Sequence, residues 1–308
     1  MQGSPFARAG FLEALPLALP DARVVLLTAR RGAALAGAVP LAVTRRWGVA
    51  SAYSLPFGTY GGPLVDPTEP DLAAVRAELA RALGEWLRRE RVALGEVVTP
   101  PGRESAPDPA WAALASSTVR HVAHVVSLEG RTFEDYWSAI DRKTRKGARQ
   151  SQSKGLTAAE EPEALAETHA LYLEQARAWG LSRPYGLGFL RALLDHPSGF
   201  ARLFTARLEG GLACGILVLT SAGQAFAWWS GAAPAARESL AYPFLITEIV
   251  RAMSAEGRTL VNLGSSGEKG AIERFKESLG AEARPLWAYR LAPRSRLARW
   301  ALALKGAR

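Results

Sequence analysis

The residues best suited to chemistry lie in a glycine-rich segment, residues 262–281, which reads Asn-Leu-Gly-Ser-Ser-Gly-Glu-Lys-Gly-Ala-Ile-Glu-Arg-Phe-Lys-Glu-Ser-Leu-Gly-Ala. Its glycines let the backbone turn sharply and approach a ligand closely, and Ser265 and Ser266 add hydroxyl groups. Arg274 and Lys276 follow, and such cations bind carboxylates or phosphates, or stabilise charge that develops in a reaction. The alternative interpretation is an ordinary strand-to-helix turn with a solvated face.

The second half of this segment has the periodicity of a short helix. Ile272, Phe275 and Leu279 recur at i, i+3 and i+7, which predicts that they form its buried face. Arg274 and Lys276 are then expected on the remaining, polar faces.

The positive charge of the chain is concentrated in two places. Residues 142–154 carry six basic side chains and no acid, and residues 290–308 carry another six and no acid. Subtracting these twelve from the net charge of +9 leaves −3 for the rest of the chain. Arg142, Arg145 and Arg149 share one helical face at i, i+3 and i+7. Such patches suit phosphates, nucleic acids or anionic lipids, or they are simply solvated.

Composition limits the class of protein. A chain of 308 residues with 48% apolar content fits two globular domains. The single cysteine, Cys214, lies in an apolar run, which predicts a buried thiol and excludes a disulfide framework. The first twenty residues lack the apolar core of a secretory signal, and no stretch reaches the length needed to span a bilayer. We therefore expect a cytoplasmic protein.

Several catalytic motifs are absent from the sequence. The four histidines have no ligand spacing, and no CxxC pair exists, so no metal site is expected. His121 and His124 fall in a predicted strand, where residues three apart point to opposite faces. The same alternation predicts that one ring of Trp228 and Trp229 faces the core and the other a cleft or solvent, although core packing of both rings is the more common outcome. Neither a Walker loop, a dinucleotide fingerprint nor a Gly-x-Ser-x-Gly elbow occurs.

The chain contains a weak internal repeat. Residues 24–43 align with residues 201–220 at an offset of 177, and both read as strand, tight turn, strand. In each half further strand-like sequence, a long helix and another strand follow. This order predicts two copies of one α/β unit, in domains 1–110 and 111–308, with a linker at residues 100–109.

The second half also carries extra helices. Thr132 and Asp135 have the spacing of a capping box, which begins a helix that we expect to continue into the basic segment. Two more helices are predicted at residues 163–179 and 187–195. The loop between them presents Tyr185.

Several of these segments resemble signatures of one protein family. Residues 136–156 resemble the basic helix of Fem-type acyltransferases, which belong to the GNAT N-acyltransferase superfamily. The segment from Phe275 to Gly280 is similar to their F-K-x-x-x-G motif, and residues 54–64, with Tyr60, are similar to their P-x-x-x-Y-G-G-P stretch. The resemblance spans about residues 26–291.

The resemblance implies an α/β (α+β) fold of two tandem GNAT-like domains, each a mixed central sheet flanked by helices. It implies transfer of an aminoacyl or acyl group to an amine of a cell-envelope, peptidoglycan-type precursor or a similar small molecule. Lys276 would then be the catalytic cation. The expected substrate-binding residues are Tyr60, Arg145, Arg149, Tyr185, Trp229, Ser265, Ser266 and Arg274.

The resemblance leaves the acyl donor open. GNAT domains that use coenzyme A often carry Arg/Gln-x-x-Gly-x-Gly/Ala before their central helix, where backbone N–H groups hold the pyrophosphate. The matching segment begins with Arg237 and Ser239, the candidate cofactor-binding residues, but has Leu240 and Tyr242 at the small positions. No long helical arm of the kind found in tRNA-dependent enzymes is predicted. Aminoacyl-tRNA and acyl-CoA both remain candidate donors, and no tightly bound cofactor is expected.

A second hypothesis is a non-catalytic protein that binds RNA or a membrane surface through its two basic patches. Residues 295–305 could form a basic amphipathic helix suited to anionic lipid at the inner membrane face. The expected partners are thus a small-molecule or lipid-linked envelope precursor, with tRNA and a membrane surface as further candidates.

Overall fold

The computed structural model describes residues 3–46, 48–236, 238–267 and 269–291. The chain forms two compact units. One contains the chain up to Val122 together with the strand residues from Arg284, and the other contains Ala123–Ala283. Each unit has a mixed sheet with flanking helices, which confirms the predicted fold class.

The first unit places its sheet strands in the order β1-β2-β3-β5-β12, with β4 beside β2. Among the described strands of this unit, only β3 and β5 are parallel neighbours. The strands are β1 (Ala22–Arg31), β2 (Ala34–Arg46), β3 (Val49–Tyr53), β4 (Leu64–Val65), β5 (Val92–Val98) and β12 (Glu282–Leu291). The helices are α1 (Ala9–Ala18), α2 (Leu72–Arg89) and α3 (Pro109–Leu114).

The second unit orders its strands β6-β11-β10-β9-β8-β7, and β10 and β11 are its parallel pair. The strands are β6 (Ser117–Ser127, from Ala123 onward in this unit), β7 (Leu156–Glu160), β8 (Ala201–Leu208), β9 (Gly211–Ser221), β10 (Gln224–Ala232) and β11 (Leu260–Ser265). The helices are α4 (Phe133–Ala139), α5 (Arg142–Ser153), α6 (Leu165–Ala178), α7 (Leu187–Leu194), α8 (Ala241–Ala255) and α9 (Gly270–Ser278).

The sequence repeat corresponds to a repeated structure. β1 with β2 and β8 with β9 are antiparallel hairpins, and each continues through a strand and a helix to a parallel strand. The hairpins share an irregularity as well. The pairing register shifts between Ala29 and Arg30 in the first and between Ala206 and Arg207 in the second, and these positions match at the offset of 177. A β-bulge at equivalent positions shows that the alignment reflects common local geometry rather than composition.

Helix α6 lies unusually close to the sheet beneath it. Gly215 and Gly231 face each other across β9 and β10. A Cβ atom added to Gly231 would lie 2.2 Å from the carbonyl oxygen of Thr168, and one added to Gly215 would lie 2.5 Å from the Thr168 hydroxyl. Because backbone atoms cannot yield as flexible side chains do, this approach of helix and sheet requires glycine.

The expected continuous helix through residues 132–154 is instead two helices. The capping box of Thr132 and Asp135 begins α4 as predicted. α4 ends before Ile140, and Asp141 then begins α5 by accepting hydrogen bonds from the amides of Lys143 (2.7 Å) and Thr144 (3.1 Å). The prediction of one helix was wrong because an aspartate at this position caps a new helix more readily than it continues an old one.

The buried cysteine is confirmed. Cys214 has no exposed surface in the core of the second unit, and burial raises the pKa of its thiol to about 12. The surrounding core packs α8 against the sheet through apolar side chains such as Leu245, Ile249 and Met253.

None of the helices within the described residues has both the length and the apolar character that crossing a bilayer requires. Two predicted features lie outside the described residues: Arg237 and the basic segment 295–305.

Candidate functional site

Lys276 is buried beneath the glycine-rich loop. Its side chain reaches back from α9, and Nζ donates hydrogen bonds to the carbonyl oxygens of Gly264 and Ser265, each at 2.8 Å. Lys276 is only 7% exposed, and this burial lowers its pKa to about 8. The predicted faces of α9 were therefore wrong for Lys276, which is buried, and for Ile272, which is 38% exposed, whereas Leu279 is buried as predicted. Two backbone carbonyls at the end of β11 accept hydrogen bonds from the ammonium group. Hydrophobic periodicity alone does not reveal these contacts.

A buried histidine on β6 contacts the same loop. His124 on β6 is 2% exposed, and its Nδ1 lies 3.2 Å from the hydroxyl oxygen of Ser266, which is 4% exposed. Burial, and then the charge of Lys276, lowers the pKa of His124. Sequence analysis missed this pair. Strand alternation separates His124 from His121, but only the pairing of β6 with β11 brings His124 to the loop.

The parallel strands β10 and β11 diverge before they end. Their pairing runs from Gln224 with Leu260 to Phe226 with Asn262, whereas β10 continues to Ala232. Ligands of α/β proteins commonly bind outside the carboxyl ends of such strands.

A pocket of about 870 Å³ opens at this end of the sheet. It is enclosed by α5, α6, α8, α9 and the residues that follow β10. Its apolar lining comes from Ala148, Ala178, Ala232, Ala233, Pro234, Ala236, Leu240, Tyr242, Pro243, Ala271 and Phe275. Its polar and glycine lining comes from Asp141, Lys143, Thr144, Gly147, Glu174, Gln175, Arg274 and Ser278.

The pocket and Lys276 contact different faces of α9. Ala271, Arg274, Phe275 and Ser278 follow one another at helical spacing and line the pocket. Lys276 instead points to the glycine-rich loop. The structure thus separates the two predicted cations, with Arg274 in the pocket and Lys276 at the loop.

The start of α8 forms another wall of the pocket. Leu240 adopts φ 55°, a left-handed conformation. The Ser239 hydroxyl donates to the carbonyl of Ala235 at 3.1 Å, and the Ser239 carbonyl accepts from the Ser151 hydroxyl at 2.8 Å. Burial raises the pKa of Tyr242. Ser239 therefore holds this turn to α5, and its predicted contact with a cofactor stays a prediction.

Tyr185 and Trp229 lie together in an aromatic cluster. Tyr172 packs between them, with ring centroids 6.1 Å from Tyr185 and 5.2 Å from Trp229. Trp228 also contacts Tyr185, at 5.1 Å, so the expectation of opposite faces was wrong. A register shift between Ala227 and Trp229 interrupts the alternation, as a β-bulge does.

The remaining predicted residues lie elsewhere. Arg145 donates through Nη1 to three carbonyl oxygens at the end of α4, those of Trp137, Ser138 and Ile140, and so joins α5 to α4. Arg149 is exposed, with its guanidinium 5.8 Å from the Trp137 ring centroid. Tyr60 is buried in the first unit, where its ring packs edge-on against Phe6.

Comparison with solved structures shows the same fold in several proteins. FemX superimposes with a TM-score of 0.74 at 12% identity, covering 93% of this chain and 92% of FemX. L-PGS from Bacillus licheniformis gives a TM-score of 0.55 at 15% identity, covering 97% and 96%. A tandem GNAT protein from the clavulanic acid biosynthesis pathway gives 0.51 at 16% identity, covering 90% and 85%.

Comparison with protein families identifies the second unit. Residues 137–277 match the model of the acetyltransferase (GNAT) domain, and this range contains α5, the diverging strands and all of α9 except its last residue. None of the curated protein sequences compared with the chain matches it significantly. The resemblance seen in the motifs is thereby confirmed: the chain carries an acetyltransferase (GNAT) domain and has the fold of FemX.

Proposed function

We propose that this protein is an N-acyltransferase that moves an acyl or aminoacyl group from an activated donor to an amine of a cell-envelope precursor or a similar small molecule. The observation that supports this most strongly is the pocket of about 870 Å³ at the diverging ends of β10 and β11, inside the GNAT domain. The motif resemblance supports a peptidoglycan-type acceptor.

The reaction requires few catalytic side chains. The acceptor amine attacks the carbonyl carbon of the donor, a C–N bond forms, the bond to the carrier oxygen or sulfur breaks, and the amine proton passes to solvent or to the leaving group. Positioning and stabilisation of the transient oxyanion then supply most of the acceleration.

The glycine-rich loop is suited to stabilise that oxyanion. Lys276 holds the carbonyls of Gly264 and Ser265 on its own side. In a trans peptide the next N–H points opposite to the carbonyl, so the amides of Ser265 and Ser266 face away from the ammonium. We assign Lys276 to hold these amides in place, and His124 to fix Ser266 through their 3.2 Å contact.

The cations of the pocket are suited to bind the carrier of the acyl group. Lys143 and Arg274 line the pocket from α5 and α9, and their charges complement phosphate groups. Exposed Arg149 lies on α5 as well and adds to this surface, whereas Arg145 serves to cap α4. Contacts of Tyr60, Tyr185 and Trp229 with the acceptor stay predictions.

The test is mass spectrometry of reactions that offer acyl-CoA or charged tRNA with a panel of amines, together with donor hydrolysis in the absence of an amine. Arg274→Ala and Lys143→Ala should each raise the donor KM about tenfold, because a hydrogen bond to a charged group contributes roughly 1.5 kcal/mol or more. With acyl-CoA as the donor, the matched control is Lys146→Ala, since Lys146 is exposed on α5 but does not line the pocket.

Formation of an N-acyl product that depends on both pocket cations would support the proposal. If neither donor were consumed with any amine or in its absence, the proposed function would be wrong. An amine acceptor that is an intracellular envelope precursor would place the reaction in the cytoplasm, at the inner membrane face where that precursor is lipid-linked. The non-catalytic hypothesis loses its basis because the chain contains a GNAT acyltransferase domain.

A further inference from the structure

The wall of the pocket at Leu240 has an unusual backbone. A φ of 55° lies in the left-handed region, which glycine adopts freely and leucine does not. The backbone conformation at this turn thus favours glycine, yet the residue there carries an isobutyl side chain. That side chain reaches α5, where a Cβ atom added to Gly147 would lie 3.0 Å from the Leu240 Cδ1 atom.

The Leu240 side chain completes an apolar surface around the pocket. Each enclosing helix supplies apolar groups: Ala148 from α5, Ala178 from α6, Tyr242 from α8 and Phe275 from α9. A volume of about 870 Å³ is far larger than a two-carbon acetyl group needs and is in the upper range of small-molecule sites.

The charged residues of the lining are few, and they are not equivalent. Asp141 uses its carboxylate to cap α5 through two backbone amides. Glu174 is an exposed acid on α6. Lys143 and Arg274 are the cations, and they line the pocket from two different helices, α5 and α9. Cations beside an apolar chamber match a ligand with an anionic head and an apolar tail.

Resting on the N-acyltransferase function proposed above, we propose that the donor is a thioester of an aliphatic acyl chain of several carbons or more, and that this chain occupies the pocket beside Leu240. Lys143 and Arg274 contact phosphates of the carrier. In the reaction the C–S bond breaks, the amine nitrogen takes the acyl carbon, and the released thiolate takes the amine proton. The product is an N-acyl amide with a long apolar tail.

An aminoacyl donor suits the same surface less well. Its α-ammonium group would have to leave water for a lining that is mainly apolar. The carboxylate of Asp141 already caps α5 and Glu174 is exposed to solvent, and burying a charge away from a close partner is costly. Transfer of an aliphatic chain from water to this lining is favourable, since each buried methylene strengthens binding by up to about fourfold.

The experiment measures binding without an acceptor amine, so that it does not depend on turnover. Calorimetric titration with acetyl-, butanoyl-, octanoyl- and dodecanoyl-CoA gives Kd as a function of chain length, and coenzyme A and dodecanoate measure the head and the tail separately. We expect Kd to fall with each added methylene until the pocket is full. Charged tRNA is titrated in the same way to test an aminoacyl donor.

Two variants that reduce the pocket volume test the location. Ala178→Phe at the end of α6 and Ala271→Phe on α9 add a ring to the pocket from exposed positions, where the fold should tolerate it. Each should raise the Kd of dodecanoyl-CoA at least tenfold more than it raises the Kd of acetyl-CoA. Ala170→Phe is the matched control, because Ala170 is exposed on α6 but does not line the pocket.

A Kd that does not depend on chain length would overturn the inference, as would equal effects of Ala178→Phe and Ala170→Phe or preferential binding of charged tRNA. The two proposals fail in different ways. Chain-length-dependent binding without consumption of any donor, with or without an amine, would refute the acyl-transfer function alone. Transfer from acetyl-CoA with no preference for longer chains would refute the pocket assignment alone.

Discussion

Lys276 shows how a single buried charge organises a loop. The ammonium group replaces its water shell with the carbonyls of Gly264 and Ser265, and these fix the path of the chain after β11. Hydrophobic spacing assigns a lysine to the solvated face of a helix, since an unpaired charge is costly to bury. The carbonyl groups that compensate for the burial of this charge are more than ten residues away in sequence, and only folding brings them to the ammonium group.

The lowered pKa of Lys276 predicts a pH dependence of stability. Between pH 8 and the usual 10.5 the unfolded chain binds more protons at this residue than the folded chain does. Stability due to this group is therefore complete above 10.5 and is lost as the pH falls through about 8. The unfolding free energy of the wild type, relative to Lys276→Met, should rise by about 2 to 3 kcal/mol over this range. Urea denaturation at a series of pH values measures it.

Lys269→Met is the control for that series, because Lys269 is exposed beside the same helix. Its unfolding free energy should follow that of the wild type at every pH. Parallel curves for the wild type and Lys276→Met would contradict the burial of a titrating ammonium group.

At the scale of the elements, the packing of α6 on β10 depends on the absence of a side chain at Gly231. Gly231→Ala should destabilise the protein by about 3 kcal/mol or more, since the new Cβ atom meets the backbone of Thr168 at 2.2 Å. Gly211→Ala on the neighbouring strand is the matched substitution, because its nearest contact is an ordinary 3.5 Å. That variant should change stability by less than about 0.5 kcal/mol. Similar losses for both in urea denaturation would disprove the close approach.

The existence of the elements could be predicted from local sequence. The two hairpins, the capping box of α4, and helices α6 and α7 follow from periodicity, turns and caps. The break at Asp141 and the bulge before Trp229 could not, because a cap and a continuing helix compete closely in energy. A bulge depends on the partner strand, which lies elsewhere in the sequence.

At the scale of the whole molecule, the net charge of +9 predicts that the affinity of the protein for nucleic acid depends on salt concentration. Binding to tRNA should weaken steeply between about 50 and 200 mM salt, since it releases counterions. Charged and uncharged tRNA should bind equally. Lys146→Ala should weaken this binding as much as Lys143→Ala does, whereas only Lys143→Ala should weaken binding of acyl-CoA. Anisotropy titrations with labelled tRNA measure the effect.

A preference of about tenfold or more for charged tRNA would contradict this expectation and would favour an aminoacyl donor. The prediction is specific because Lys143 and Lys146 share α5, and Lys143 lines the pocket whereas Lys146 does not.

The sequence by itself determined the repeated α/β units, the two basic patches and the family resemblance, because these depend on residue types and short spacings along the chain. Only the tertiary structure decided which residues meet. It placed Arg274 in an apolar pocket and Lys276 at the loop, on opposite faces of one helix, and it brought His124 to Ser266 across paired strands. Such contacts join segments as far as 142 residues apart, and their positions depend on the packing of the whole unit rather than on local preference.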